Sequence, residues 1–304
     1  MTAAAGKQRR LMARALSRAA DASVAEVLAS VRGSSGLCRR IGITGPPGAG
    51  KSSLIAALAR HRLAREGDIA ILAVDPTSPI SGGAILGDRI RMEDLAHNPR
   101  VYIRSLASRS SLDGLTDNLP DMIEIIENAG FAEVILETVG VGQVEYAVRD
   151  VVDTTLLVLM PGAGDQIQAM KSGILETADI FVVNKADQPG ARQLVVELAS
   201  VLKLKTPNSQ DSREVWKTPI LSTSTQDPTS VVALAEAIDH HQAWLAANRD
   251  VGKRRLERRR AQHVRSLITR RVTEVLEELP SELLHLPLPS LYEAVAQRLI
   301  ETSR

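Results

Sequence analysis

A single cysteine, Cys38, stands among 304 residues, so the chain can form no internal disulfide and holds no four-cysteine zinc site. That points to a reducing compartment, read here as the cytoplasm. Aromatic side chains are almost as scarce, with two Trp, three Tyr and two Phe. The core must therefore be built from Leu, Val, Ile and Ala, and the 44% apolar content supplies enough of them. Neither sign of charge is in excess. Lys and Arg number 37 against 36 acids, a net charge of +1, which argues against a general nucleic-acid binder. No apolar run reaches the length of a membrane span. The six histidines, at 61, 97, 240, 241, 263 and 285, form no metal-loading cluster, and His240-His241 reads as a polar pair on a helix surface.

What is present is an alternation of apolar runs and helical patterns. Strands are expected at Arg40–Thr44, Ile69–Val74, Val101–Arg104, Glu133–Glu137, Thr155–Met160, Ile180–Val183 and Pro219–Leu221. Helices are expected at Lys51–Arg65, Leu119–Asn128, Gln143–Val151, Gln166–Glu176, Ala191–Leu202 and Val231–Ala247. Helices between buried strands imply an α/β fold with a mostly parallel sheet covered on both faces. Met1 to Ala20 carries five basic residues before the first acid, Asp21, a composition shared with transit peptides. Helical spacing of Leu11, Leu16, Val24, Val27, Leu28 and Val31 favours instead one packed helix over residues 8–32. After Gly252 the runs Lys253-Arg254-Arg255 and Arg258-Arg259-Arg260 open a charged helix, its arginines read as a solvated face. The tail should be helical and lie outside the sheet, either as a dimer contact or packed on its own domain.

The stretch Gly45-Pro46-Pro47-Gly48-Ala49-Gly50-Lys51-Ser52 fits G-x-x-x-x-G-K-[ST], and it stands between a strand and a helix start. In that context it reads as a phosphate cradle rather than a glycine-rich turn. Glycines let backbone N–H groups face phosphates, with the positive end of the helix opened by Lys51, Ser52 and Ser53 behind them. Lys51 should reach the β- and γ-phosphates, and the Ser52 hydroxyl should bind Mg²⁺. Downstream, Asn184-Lys185-Ala186-Asp187 closes a buried strand. The Asp187 carboxylate can accept from the N1–H and exocyclic amine of guanine, whereas adenine would present a lone pair to it. Asn184 should tie the phosphate loop to the base loop, and the Lys185 stem should cover the ring.

Between the two motifs, Glu137-Thr138-Val139-Gly140 ends an apolar strand. Glu137 can hold the Mg²⁺ shell, directly or through water, and the Gly140 N–H can sense a γ-phosphate. Val141 stands where Ras-like proteins carry a water-positioning glutamine, and Gln143 lies two residues on, so intrinsic hydrolysis should be slow. Asp75 closes the second strand. Asp88 lies in the loop that follows. Either could support Mg²⁺ or orient water, and Asp88 could equally cap the segment Arg89–Met92.

The blocks G-P-P-G-A-G-K-S, V-D-P-T-S-P-I-S-G-G-A-I-L-G-D-R-I-R-M, E-T-V-G-V-G-Q, P-G-A-G-D and N-K-A-D, in this order, resemble the MeaB/ArgK family of G proteins from about residue 8 to 275. The long block from Asp75 to Met92 is the specific one. The resemblance implies a P-loop NTPase fold of the SIMIBI GTPase class, with an N-terminal helix (1–36), a GTPase domain (37–250) and a C-terminal helical dimerisation extension (251–304). It implies Lys51 and Ser52 on phosphate and Mg²⁺, Asp75, Asp88 and Glu137 around the metal, and Asn184, Lys185 and Asp187 on guanine. Ser222-Thr223 would form the last base-contacting loop. It further implies GTP/GDP and Mg²⁺ as cofactors, a homodimer, and a B12-dependent acyl-CoA mutase as partner, with no nucleic acid and no membrane. GTP turnover would gate delivery of cobalamin. Two stretches depart from the family pattern: Ser108–Leu115, with Asp113 for glycine, and Ser222–Asp227. Other readings remain open. They are an ATP-dependent kinase linked to basic amino-acid transport, which Asp187 opposes, a metallochaperone, which the missing His/Cys cluster opposes, and a nucleotide-holding module without turnover.

Overall fold

The computed structural model describes residues 3–30, 38–65, 67–76, 92–108, 115–138, 144–162, 178–205 and 215–301. The expected helix Gln166–Glu176 lies outside these residues. Among the described residues the chain opens with α1 (Ala3–Asp21) and α2 (Val24–Ser30). It continues as β1 (Arg39–Thr44), α3 (Lys51–Arg62), β2 (Ile69–Pro76), α4 (Glu93–Ala96), β3 (Val101–Ser108) and α5 (Leu119–Asn128). Then come β4 (Glu133–Thr138), α6 (Val144–Arg149), β5 (Thr154–Leu159), β6 (Ile180–Asn184), α7 (Ala191–Lys205) and β7 (Ile220–Thr223). The helices α8 (Pro228–Ala247), α9 (Arg249–Glu277) and α10 (Leu288–Glu301) finish it.

The strands form one parallel sheet in the order β3-β2-β4-β1-β5-β6-β7. Alternate residues face opposite layers. Ile41, Ile43, Ile71, Ile135, Leu156, Val158 and Val182 pack under α3 and α8. On the other face Leu72, Val134 and Leu136 meet α1, α5 and α6, while Leu157, Phe181 and Val183 meet α7. Both faces are covered, which is why each strand reads as an unbroken apolar run. Gly42 marks a close helix approach: a Cβ there would stand 2.4 Å from Val148 of α6.

Four expectations change. The N-terminal helix is two helices, broken at Ala22-Ser23. Ser23 and Glu26 form a reciprocal cap, with Ser23 N–H donating to Glu26 Oε2 (2.9 Å) and Glu26 N–H to Ser23 Oγ (3.3 Å). Gly252 does not open the charged helix. α9 begins at Arg249 and runs through it, because one glycine costs a long helix only about 1 kcal/mol. The arginine runs are only partly a solvated face. Arg255 chelates Asp179 (2.5 and 3.0 Å), Arg259 pairs with Asp153 (2.5 Å) and Arg258 with Asp150 (3.6 Å). These ion pairs hold α9 to its own domain, against the loops entering β5 and β6. His241 is not surface: it is fully buried, bonded to Thr154 Oγ1 (2.9 Å) and enclosed by Trp216 and Trp244.

Candidate functional site

The chain passes from β1 to β2 on one side of the sheet and, after β4, crosses to β5 on the other side of β1, so a crevice opens at the C-terminal end of β1. The phosphate-type loop fills it. Gly45 adopts φ 143° against β5, and a Cβ there would lie 2.0 Å from the Val158 carbonyl oxygen. Gly50 is the left-handed N-cap of α3, at φ 84°. A Cβ on Gly50 would come 2.5 Å from Asn184 Nδ2. Both positions therefore exclude any side chain.

Lys51 is buried inside the loop, its ammonium donating to the carbonyls of Gly45 (2.7 Å) and Pro46 (3.1 Å). A positive charge is thus fixed where the loop N–H groups and the α3 N-terminus already favour an anion. Ser52 Oγ donates to Glu137 Oε1 at 2.8 Å, joining the first turn of α3 to the end of β4. A hydroxyl and a carboxylate in contact, beside a cationic anion cradle, are an oxygen set that suits a hard cation such as Mg²⁺.

The second half of the site comes from β6 and β7. Asn184 is buried at the end of β6, and its Nδ2 donates to the Ala49 carbonyl (2.8 Å) and more weakly to that of Gly50 (3.5 Å). Its Oδ1 accepts from Thr223 Oγ1 (3.0 Å). This strut fixes the phosphate loop against the β6–β7 edge. Lys185 is the only non-glycine with positive φ (55°) among the described residues, a conformation stored at functional turns. Its ammonium reaches Met160 Sδ (3.7 Å), so its stem lies between β5 and the glycine loop. Asp187 Oδ1 accepts from Ser224 Oγ at 2.6 Å. That bond to the charged form lowers the Asp187 carboxyl pKa from its ordinary value.

The structure therefore brings Gly45, Pro47, Gly48, Ala49, Gly50, Lys51, Ser52, Ser53, Glu137, Asn184, Lys185, Asp187 and Thr223 to one edge. Ser222 is exposed on β7, and the pair that grips Asn184 and Asp187 is Thr223-Ser224. Ser224 was not singled out from the sequence, although a Thr-Ser pair one step past the end of an apolar strand was there to be read. Asp75 is the penultimate residue of β2 by its backbone, and its side chain lies outside the described residues. Asp88 and the rest of the 77–91 block, Gly140, Val141, Gln143, residues 109–114 and residues 163–165 also lie outside them.

Comparison with known proteins agrees with this geometry. A family model described as "Methylmalonyl Co-A mutase-associated GTPase MeaB" matches residues 9–281. A Pyrococcus horikoshii protein provisionally named a GTPase is 43% identical over 243 residues, 80% of this chain and 75% of that one. The mitochondrial methylmalonic aciduria type A homolog of Mus musculus is 34% identical over 255 residues, 82% of this chain and 60% of that protein. The chain thus spans between about three fifths and three quarters of these relatives. A crystal structure described as an LAO/AO transport system kinase superposes with a TM-score of 0.63 at 22% identity, covering 98% of both chains, and shares the fold. With a family model matched over nearly the whole chain and a P-loop crevice that carries its residues, this protein belongs to the MeaB family of methylmalonyl-CoA mutase-associated GTPases.

Proposed function

We propose that the chain binds and hydrolyses GTP, and that this cycle gates adenosylcobalamin loading and protection of a B12-dependent acyl-CoA mutase, methylmalonyl-CoA mutase or a relative. The observation that carries the reading is the base-side clamp. Asp187 is aimed by its bond from Ser224, and Asn184 ties that loop to the phosphate loop through Ala49. An ionised carboxylate favours guanine's two donors and repels adenine's N1 lone pair.

Lys51 would offset charge on the β- and γ-phosphates. Ser52 and Glu137, with Asp75 and Asp88, would hold the Mg²⁺, which supplies charge neutralisation at the transferring phosphoryl group. To bind, the nucleotide would draw Lys51 from the Gly45 and Pro46 carbonyls, and the Ser52 oxygen would hold the metal while its hydroxyl proton still donates to Glu137. Gly140 would report the γ-phosphate. Val141 leaves intrinsic turnover slow, so the mutase supplies the stimulus. The 251–304 extension would carry the homodimer contact, a reading supported by exposed Leu256, Val264, Ile268 and Tyr292. A cytoplasmic setting, with no nucleic acid or membrane as partner, belongs to the same reading.

Displacement of a fluorescent GDP tests the base side. GTP should compete and ATP should not. Asp187→Asn should weaken GTP by about 10²-fold, the loss of a charge-assisted pair, while gaining xanthosine triphosphate, whose C2 carbonyl accepts from an amide. Undiminished GTP affinity in the variant would refute the base-reading role.

A further inference from the structure

A cavity of about 1050 Å³ lies far from the nucleotide crevice. Asp68, Val101 and Phe131, which line it, stand where β2, β3 and β4 begin, at the opposite edge of the sheet. α1 and α2 form its outer wall and α5 its floor. The apolar lining includes Leu11, Met12, Val27, Ile125 and Phe131, and Leu11 is 54% exposed at the rim.

The outer wall is held in place. Arg270 of α9 donates to the Ala22 carbonyl (2.8 Å), and Glu274 accepts the Val24 N–H (2.8 Å). The α1–α2 break is therefore clamped from the C-terminal helix on one side and capped by Ser23 and Glu26 on the other. This groove is built before anything enters it.

Its charge is one-sided. Five carboxylates line it, Asp21, Glu26, Asp68, Asp121 and Glu124, against one cation, Arg18. Asp121 is met from outside by Arg270 and His263 (2.7 Å), and Asp68 by Arg100 at 3.5 Å. Glu26 accepts from Ser23, a neutral group, and Glu124 stands 3.9 Å from the His263 ring. A neutral apolar ligand would desolvate these acids with no return.

We propose that this groove receives a cationic amphipathic segment of a partner protein, apolar side chains seated on Leu11, Met12, Ile125 and Phe131 and basic ones on Glu26 and Glu124. Such helix-in-groove docking needs an apolar trough with a charged rim, as here. The partner's identity rests on the mutase reading above. The docking itself is tested without GTP turnover, so the two can fail separately.

The probe is a fluorescein-labelled amphipathic Leu/Lys peptide of about five helical turns, with a Leu/Glu peptide of the same spacing as control. Anisotropy is read on the full chain. The Leu/Lys peptide should bind saturably, more weakly as salt rises, and the Leu/Glu peptide should not. Ala15→Trp fills the groove and should cost at least about ten-fold in affinity, with nucleotide binding at the far edge as the folding control. If that variant does not fold, Glu26→Gln/Glu124→Gln decides. It keeps the capping bond, since glutamine serves at that position, and should weaken the peptide by about five-fold. Equal binding by wild type and variants, binding of the Leu/Glu peptide, or an apolar dye that fills the groove and is not displaced would each overturn the proposal.

Discussion

Removing the Asn184 side chain should disable the protein from two directions at once. Asn184→Ala deletes the donor to the Ala49 carbonyl (2.8 Å), the longer contact to Gly50 (3.5 Å) and the acceptor for Thr223 Oγ1 (3.0 Å). Asn184 is 2% exposed and Thr223 is fully buried, so water cannot replace these bonds. Each orphaned buried group costs about 1–3 kcal/mol, which places the loss of stability near 2–4 kcal/mol. Thr223→Val keeps the shape, removes one donor and should cost about 1 kcal/mol. The double variant carries no orphaned hydroxyl. It should therefore be no less stable than Asn184→Ala alone, a coupling of about 1 kcal/mol. Urea unfolding of the four proteins measures this, and fluorescent GDP binding should fall at least about ten-fold in Asn184→Ala as the glycine loop loses its tie. Strict additivity, within about 0.5 kcal/mol, would show that the strut is not one unit and refute the reasoning.

Three further outcomes follow from the same structure. Ser224→Ala frees the Asp187 carboxylate from its 2.6 Å bond and should weaken GTP by about five- to ten-fold while leaving ATP as poor as before, read by competition. Gly45→Ala places a Cβ 2.0 Å from the Val158 carbonyl oxygen, so the variant should unfold several degrees earlier and lose nucleotide, by thermal melting with and without GDP. Burial alone would raise the Asp179 carboxyl, yet the His241 ring 3.4 Å away and the two bonds from Arg255 outweigh this and hold it well below the usual range. A carboxyl so depressed contributes stability above its unfolded pKa of about 3.9 and loses it as pH falls below that. The stability gap between wild type and Arg255→Met should therefore be full at neutral pH and shrink in acid below about pH 4; a gap unchanged by acid would contradict this role for Asp179.

The sheet was legible because its central strands β4, β5 and β6 are buried on two faces. Runs such as Ile180–Val183 have no polar residue to confuse the reading, and Leu119–Asn128 was bounded by Pro120 near its start. The phosphate loop was legible for another reason: Gly45 and Gly50 occupy backbone angles that leave few alternatives. What failed was anything decided by long-range partners. His241 looks like half of a surface pair, and only the fold brings Trp216, Trp244 and Thr154 around it. The α9 arginines look solvated until Asp153 and Asp179 arrive from loops some 76 to 106 residues away. The break at Ser23 is different. The S-x-x-E cap was in the sequence, and the continuous apolar spacing across it hid the stop. Ser224 was hidden by a one-residue offset: the grip on the base loop starts at Thr223, which a reading by motif set one position early.

The central claim is a GTP cycle coupled to a cobalamin enzyme, and phosphate release tests it most directly. GTP and ATP are each incubated with the protein, alone and with a purified B12-dependent acyl-CoA mutase from the same organism. Slow release from GTP alone, accelerated by the mutase, with ATP inert, is the predicted result. Release from ATP, or a GTP rate that no such mutase changes, would contradict it.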